Sequence, residues 1–196
     1  MKQALYVDCC IRGAESRTAR LAEAFLKALP KDYEVTRLEL TAEGLLPLTG
    51  AFFQQRERLL EVGALDHSRF RYAHQMAKAD LVMVAAPFWD LSFPALLKIY
   101  IENVSVEGIT FRSTADGLQG LCRGRDLVFL TTRGGIYAHG DPLEQGVPYM
   151  RGLQKFFGFD HFHYVAADGL DVQGYDGEEA LRRACADAAR LAGSLQ

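Results

Sequence analysis

"DLVMVAAPFWDLSFPALLKIYIENV", residues 80–104, decides the fold. After one Asp its opening is an unbroken apolar run, the composition of a strand buried on both faces of a parallel sheet. From Pro94 the stretch changes period: proline is tolerated in a first helical turn, and Leu97, Tyr100, Ile101 and Val104 share one helix face. Between the two lie Pro87, Phe88, Trp89, Asp90, Leu91, Ser92 and Phe93. Two prolines stiffen this turn, and a Phe and a Trp on a strand-to-helix connection need a flat surface to cover. The stretch therefore reads as a buried strand, a rigid aromatic loop and a helix.

The same alternation recurs on either side. Apolar runs at 4–7, 34–40, 126–132 and 161–170 read as four further strands. Those at 4–7, 80–86 and 126–132 are continuous rather than alternating, as expected of strands covered on both faces. "SRTARLAEAFLKALP" (16–30) has Leu21, Ala24, Phe25, Ala28 and Leu29 at helical spacing, a Ser or Thr to cap it and a closing Pro. Further helices are expected over much of 53–78, where a weaker "GALDHS" interrupts the pattern, within 142–159, and over 177–196. Five strands alternating with five helices predict an α/β three-layer sandwich. No repeat, low-complexity tract or linker divides it, so 1–196 reads as a single domain.

The bulk properties narrow the partners. A chain of 196 residues with 49% hydrophobic content can bury a substantial core. A net charge of −3 and no run of Lys or Arg leave no electrostatic footprint for nucleic acid or an anionic membrane, so small molecules are the expected partners. Cys9, Cys10, Cys122 and Cys185 show neither CxxC spacing nor a nearby His cluster. They predict buried thiols in a reducing cytosol rather than a metal site. The N-terminal apolar stretch is too short for a signal peptide and the other runs are strand-sized, so a cytoplasmic protein is expected.

Open parallel sheets bind ligands beyond the carboxyl ends of their strands, which directs attention to three loops. After the first strand, "DCCIRGAESRT" (8–18) lacks the glycine fingerprints of dinucleotide folds and P-loops but ends in Ser16-Arg17-Thr18 at a helix start. Free amides, the helix dipole, two hydroxyls and a guanidinium suit an anion there. The simpler reading makes Ser16 an N-cap and leaves Arg17 solvated. After the third strand comes the aromatic loop. After the fourth, "TTRGGIYAHGDP" (131–142) carries Gly134-Gly135, where the backbone can approach a ligand closely and present its amides. A tight turn and a core lid are the plainer readings of the glycines and the aromatics. Jointly the loops describe a phosphate site, an apolar wall and an amide-lined edge, a set that suits a phosphorylated planar cofactor. Tyr137 and His139, just beyond, are candidates on the substrate side, whereas His161 and His163 share a strand face and read as structural. No catalytic triad is present.

On these residues the chain resembles the FMN-dependent NADH azoreductases and related NAD(P)H:quinone oxidoreductases of flavodoxin-like fold. Azoreductases carry A-P-M-Y-N-F after strand three, a G-V-T-F-R-Y hairpin and T-S-R-G-G after strand four. Here these positions read Ala86-Pro87-Phe88-Trp89-Asp90-Leu91, Gly108-Ile109-Thr110-Phe111-Arg112-Ser113 and Thr131-Thr132-Arg133-Gly134-Gly135. The resemblance covers nearly the whole chain. It implies a five-stranded parallel sheet of order 2-1-3-4-5, non-covalent FMN, NADH or NADPH as donor, and a homodimer with its active sites at the interface. Quinones, azo compounds or similar electron-poor aromatics would be the acceptors.

By position it assigns Cys9, Ser16, Arg17 and Thr18 to the FMN phosphate end, and Pro87, Phe88, Trp89, Asp90 and Leu91 to the isoalloxazine face. Thr132, Arg133, Gly134 and Gly135 fall at the pyrimidine edge. No catalytic side chain is required, because flavin carries the chemistry. Two departures stand out. Cys9-Cys10 replaces the family's Ser pair and removes a hydroxyl, predicting weaker FMN binding. Asp90 replaces Asn, and a carboxylate near the ring would lower the flavin potential. The alternative is a flavodoxin-like protein passing single electrons to a protein partner, but such carriers are usually strongly acidic and this chain is only mildly so.

Overall fold

The computed structural model describes residues 1–195. Five strands form one parallel sheet: β1 (Lys2–Asp8), β2 (Tyr33–Glu39), β3 (Leu81–Ala85), β6 (Asp126–Thr132) and β7 (His161–Ala167). Their order is β2-β1-β3-β6-β7. Counting only the sheet's own strands, this is the expected 2-1-3-4-5 order. The three strands with continuous apolar runs, β1, β3 and β6, occupy the middle and are largely buried, whereas the edges are open to solvent, β2 mostly exposed and β7 partly so. Burial on both faces is what removes the alternation from the central strands.

Successive residues point to opposite faces of each strand. Tyr6, Met83, Val128 and Leu130 pack beneath α1 (Arg17–Ala28) and α6 (Gly177–Ser194) through Leu21, Phe25, Leu181, Ala184 and Ala188. Leu5, Val7, Val84 and Phe129 face α3 (Arg71–Lys78), α4 (Ala95–Val104) and α5 (Gly146–Phe157) through Tyr72, Met76, Leu97, Ile101, Met150 and Phe157. A wholly buried side chain such as Phe25 contributes about 1.5–3 kcal/mol by leaving water.

The helix expected over 53–78 is two helices. α2 (Gly50–Glu61) stops where Gly63 adopts φ +67, and a 3-10 turn at Ser68–Phe70 precedes α3. A left-handed glycine is a helix terminator, and the His67 ring then accepts from the Arg69 amide at 3.1 Å to start the next turn. Phe70 anchors the break in a separate cluster with Ala73, Val106 and Ile109, covered by Leu59 and Leu60. The strand expected over 161–170 ends at Ala167, ahead of Gly169 at φ +74. The strands β4 (Phe111–Thr114) and β5 (Gly117–Gly120) pair as a separate antiparallel hairpin lying against the end of α5.

Candidate active site

Because the sheet is parallel, β1, β3 and β6 deliver their following loops to one edge. There they enclose a cleft of about 370 Å³, lined by Ser16, Arg17 and Thr18 from the first loop, by Pro87 to Leu91 from the second, and by Thr132, Gly134, Gly135 and Tyr137 from the third. That size lies within the range of small-molecule sites.

At the α1 end, Ser16 is buried and is the N-cap, its Oγ accepting from the Ala19 amide at 3.1 Å. Among the described residues the first-turn amides of Arg17 and Thr18 have no acceptor, which is the usual condition of a helix start and the basis of its attraction for anions. Thr18 Oγ1 lies 2.6 Å from Thr132 Oγ1, so a buried hydrogen bond pins α1 to β6. Arg17 is not solvated. Its guanidinium donates to the Leu170 carbonyl at 3.0 Å and grips both Asp171 oxygens at 2.8 and 3.1 Å. That fork holds the Asp171 carboxyl below its ordinary range. Asp171 also lines the cleft. It sits on the loop after β7, where only the Asp168-Gly169 turn dipeptide marked anything in the sequence.

The aromatic loop owes its rigidity to a tight turn. Trp89 and Ser92 exchange hydrogen bonds, amide to carbonyl, at 3.3 and 2.8 Å, with Asp90 at φ +47 and Leu91 at φ +66 between them. Positive φ at both central positions is the type I′ turn, normally filled by Asn and Gly. The turn is held from outside by Gln145 N–H on the Leu91 carbonyl at 2.9 Å and by Phe88 N–H on the Thr132 carbonyl at 3.0 Å. Trp89 and Leu91 stay 40% and 45% exposed, leaving an apolar wall open to the cleft. The Phe88 ring rests 4.8 Å from that of Tyr137.

At the third loop the carbonyls of Arg133, Gly134 and Gly135 accept from Leu170, Asp171 and Gly169 at 3.1, 3.0 and 2.8 Å. The amides of Gly134 and Gly135 have no acceptor among the described residues. A Cβ at position 134 would lie 2.6 Å from Asp171 Oδ2, so a side chain there would push that carboxylate out of its place beside Arg17.

Three expected site residues lie elsewhere. Cys9 is fully buried in the core beside Val7 and Leu97 and lines no part of the cleft. Burial pushes the Cys9 and Cys10 thiols up to about 12, so both remain protonated near neutrality. Arg133 keeps its backbone in the loop but turns its side chain into an adjoining cavity. There its buried guanidinium stands 3.5 Å from Glu144 and 3.4 Å from Asp168, under the Phe88 and Tyr137 rings at 5.7 and 5.9 Å. His139 is exposed and lines that second cavity, not the cleft. His163 bonds Asp126 at 2.8 Å at the opposite end of β6 and β7, a structural place.

Comparison with known proteins agrees with this fold. The profile of the flavodoxin-like-fold family matches residues 2–191. The FMN-dependent NADH:quinone oxidoreductase 2 of Clostridium acetobutylicum is 38% identical over 189 residues, 93% of this chain and 94% of that protein. The FMN-dependent NADH:quinone oxidoreductase of Clostridium perfringens is 36% identical over 200 residues, 98% of each. An azoreductase of Bacillus anthracis superposes with a TM-score of 0.87 at 26% identity over all of both chains. The chain belongs to the family of flavodoxin-like fold that contains the FMN-dependent NADH:quinone oxidoreductases.

Proposed function

We propose that the cleft holds FMN and that the protein is an FMN-dependent oxidoreductase moving two electrons from NADH to quinones, azo compounds or similar electron-poor aromatics. The observation that carries this reading is the meeting of three matched surfaces in one cleft: free helix N-terminal amides, an apolar wall, and free glycine amides. They correspond to a phosphate, a flat ring and a carbonyl-bearing ring edge. Arg17, Thr18 and the start of α1 would hold the phosphate; Phe88, Trp89 and Leu91 would lie along the ring; Gly134 and Gly135 would donate to its pyrimidine edge. When bound, FMN supplies the redox chemistry.

The protein's own part is placement and exclusion of water. The type I′ turn fixes the wall before any ligand arrives, which lowers the ordering cost of binding. Tyr137 borders the cleft and is suited to hold a flat acceptor in place, and no side chain has to act as a nucleophile. We extend the proposal to a homodimer, on the strength of Trp89 and Leu91, exposed on the cleft wall, and of Ile136 and Leu143, exposed on the segment between β6 and α5. Residence in the cytoplasm is supported by four free thiols, and among the described residues no helix is long and apolar enough to cross a membrane.

The test is an absorption spectrum after FMN addition and desalting, followed by anaerobic NADH. A retained flavin band that NADH bleaches in one two-electron step is the expected result. A protein that retains no flavin sinks the proposal. Sizing chromatography decides the dimer, a monomer at micromolar concentration ruling it out.

A further inference from the structure

Past Tyr137 the cleft continues into a second cavity of about 650 Å³ between α5 and the ends of β6 and β7. Three features set it apart from ordinary surface. The first is Arg133, whose side chain is only 5% exposed and whose Nε has no hydrogen-bond acceptor although it lines the cavity. The second is a pair of cations, Arg151 and Lys155, one helical turn apart on the α5 face that borders the cavity. Among the described residues neither forms an ion pair; Arg151 rests over the Phe162 ring at 5.0 Å. Like charges at this spacing repel, so the helix carries a cost that an anion between them would offset. The third is Gly152, inside α5. Glycine weakens a helix interior, and here a Cβ would meet nothing within 4 Å, so packing does not demand it. What glycine leaves is open room beside the two cations.

The cavity also holds carboxylates. Glu144 and Asp168 flank Arg133, and Asp168 Oδ1 is buried without a hydrogen-bond partner. Burial raises the Asp168 carboxyl above its ordinary value, and its unpartnered Oδ1 is an acceptor in want of a donor. A ligand that satisfies the whole set must bring phosphates for the cations and hydroxyl donors for the acids. A ribose–diphosphate does both, whereas an acidic group on an aromatic acceptor would give the carboxylates nothing to accept.

We propose that this cavity is the subsite for the diphosphate and adjoining ribose of the reduced dinucleotide, with Arg151 and Lys155 on the phosphates, while the nicotinamide enters the cleft past Tyr137. The inference rests on NADH being the donor, and its test separates the two ideas. The probe is ADP-ribose, which carries the diphosphate and both riboses but no nicotinamide, titrated calorimetrically into the flavin-loaded protein and into the flavin-free protein.

Binding to the wild type, weakened about tenfold or more in Arg151→Glu/Lys155→Glu, is expected. Gly152→Leu, which fills the space and leaves every charge in place, should weaken it as well. Both variants change exposed helix positions, and circular dichroism is the check that they fold. In steady state, the ratio of kcat/KM for NADH to that for phosphate-free reduced nicotinamide riboside should fall by the same factor in the double variant. Failure of the wild type to take up ADP-ribose, or equal affinity in the variants, overturns the proposal. A double variant that raises KM for a sulfonated azo acceptor but leaves ADP-ribose binding unchanged overturns it in favour of the acceptor's acid. Variant-sensitive ADP-ribose binding in a protein that NADH fails to reduce would uphold the subsite and remove the reductase reading.

Discussion

Replacing Arg133 by methionine should strand two acids in the second cavity. The guanidinium lies 3.5 Å from Glu144 and 3.4 Å from Asp168, with the three side chains 5%, 9% and 30% exposed. At an effective dielectric of about 20, each separation corresponds to roughly 5 kcal/mol of gross attraction. Desolvation of three charges and repulsion between the acids offset much of that, and removing one partner of a buried pair typically costs about 3–5 kcal/mol. For a chain of this size that is about 6–20 °C in Tm.

The deficit should depend on pH. Burial raises the Asp168 carboxyl above its ordinary 3.8. An acid raised in the folded state binds more protons there than when unfolded, so stability falls as pH rises through the window from 3.8 to the folded value. Without Arg133 that window widens upward, and the variant recovers stability on acidification. Urea unfolding at about pH 7 and about pH 5 measures both effects. Adding Glu144→Gln and Asp168→Asn to Arg133→Met should restore most of the loss, because the Gln carbonyl can still accept from Val147 N–H as Glu144 does at 3.0 Å. A deficit below about 1 kcal/mol, or one that neither acidification nor the triple variant reduces, would refute the reasoning.

Three further outcomes are expected. Asp171→Asn frees Arg17 for the FMN phosphate and should tighten FMN binding about two- to fivefold, the worth of one exposed ion pair, as read by flavin fluorescence titration; unchanged or weaker binding would show that Arg17 does not serve the phosphate. Leu91→Gly relieves a left-handed strain of about 1–2 kcal/mol against a glycine entropy cost of about 0.5–1 kcal/mol, so urea unfolding should show slight stabilisation, while FMN is retained less well for want of the apolar wall. A clear destabilisation would mean the turn is not strained at Leu91. Gly120→Ala places a Cβ 2.1 Å from the Gly158 amide nitrogen, and separating the hairpin from α5 should cost about 1–3 kcal/mol by the same measurement. A neutral result would show that the hairpin moves freely.

The middle of the sheet was legible because strands buried on both faces leave continuous apolar runs, and β1, β3 and β6 are the three that did. The break between α2 and α3 was visible only as a weak patch, since its cause is the left-handed Gly63, a dihedral that composition does not specify. The cleft was legible as an ordered set of loops rather than from any single one, each having a plainer reading alone. The Arg17–Asp171 fork was beyond reach, being formed by a partner 154 positions away on a loop marked only by a turn dipeptide.

Two of the three displaced site residues share one cause. Cys9 follows Leu5 and Val7 in strand parity, and Arg133 follows Leu127, Phe129 and Thr131, so both belong to the face covered by α3, α4 and α5. Thr132 has the opposite parity and meets Thr18 on the α1 side. Position along a loop places a residue near a ligand, but the pleat decides which way its side chain turns. That parity is written in the sequence, and counting back from the apolar core through β1 and β6 would have directed Cys9 into the core and Arg133 toward α5, the wall of the second cavity.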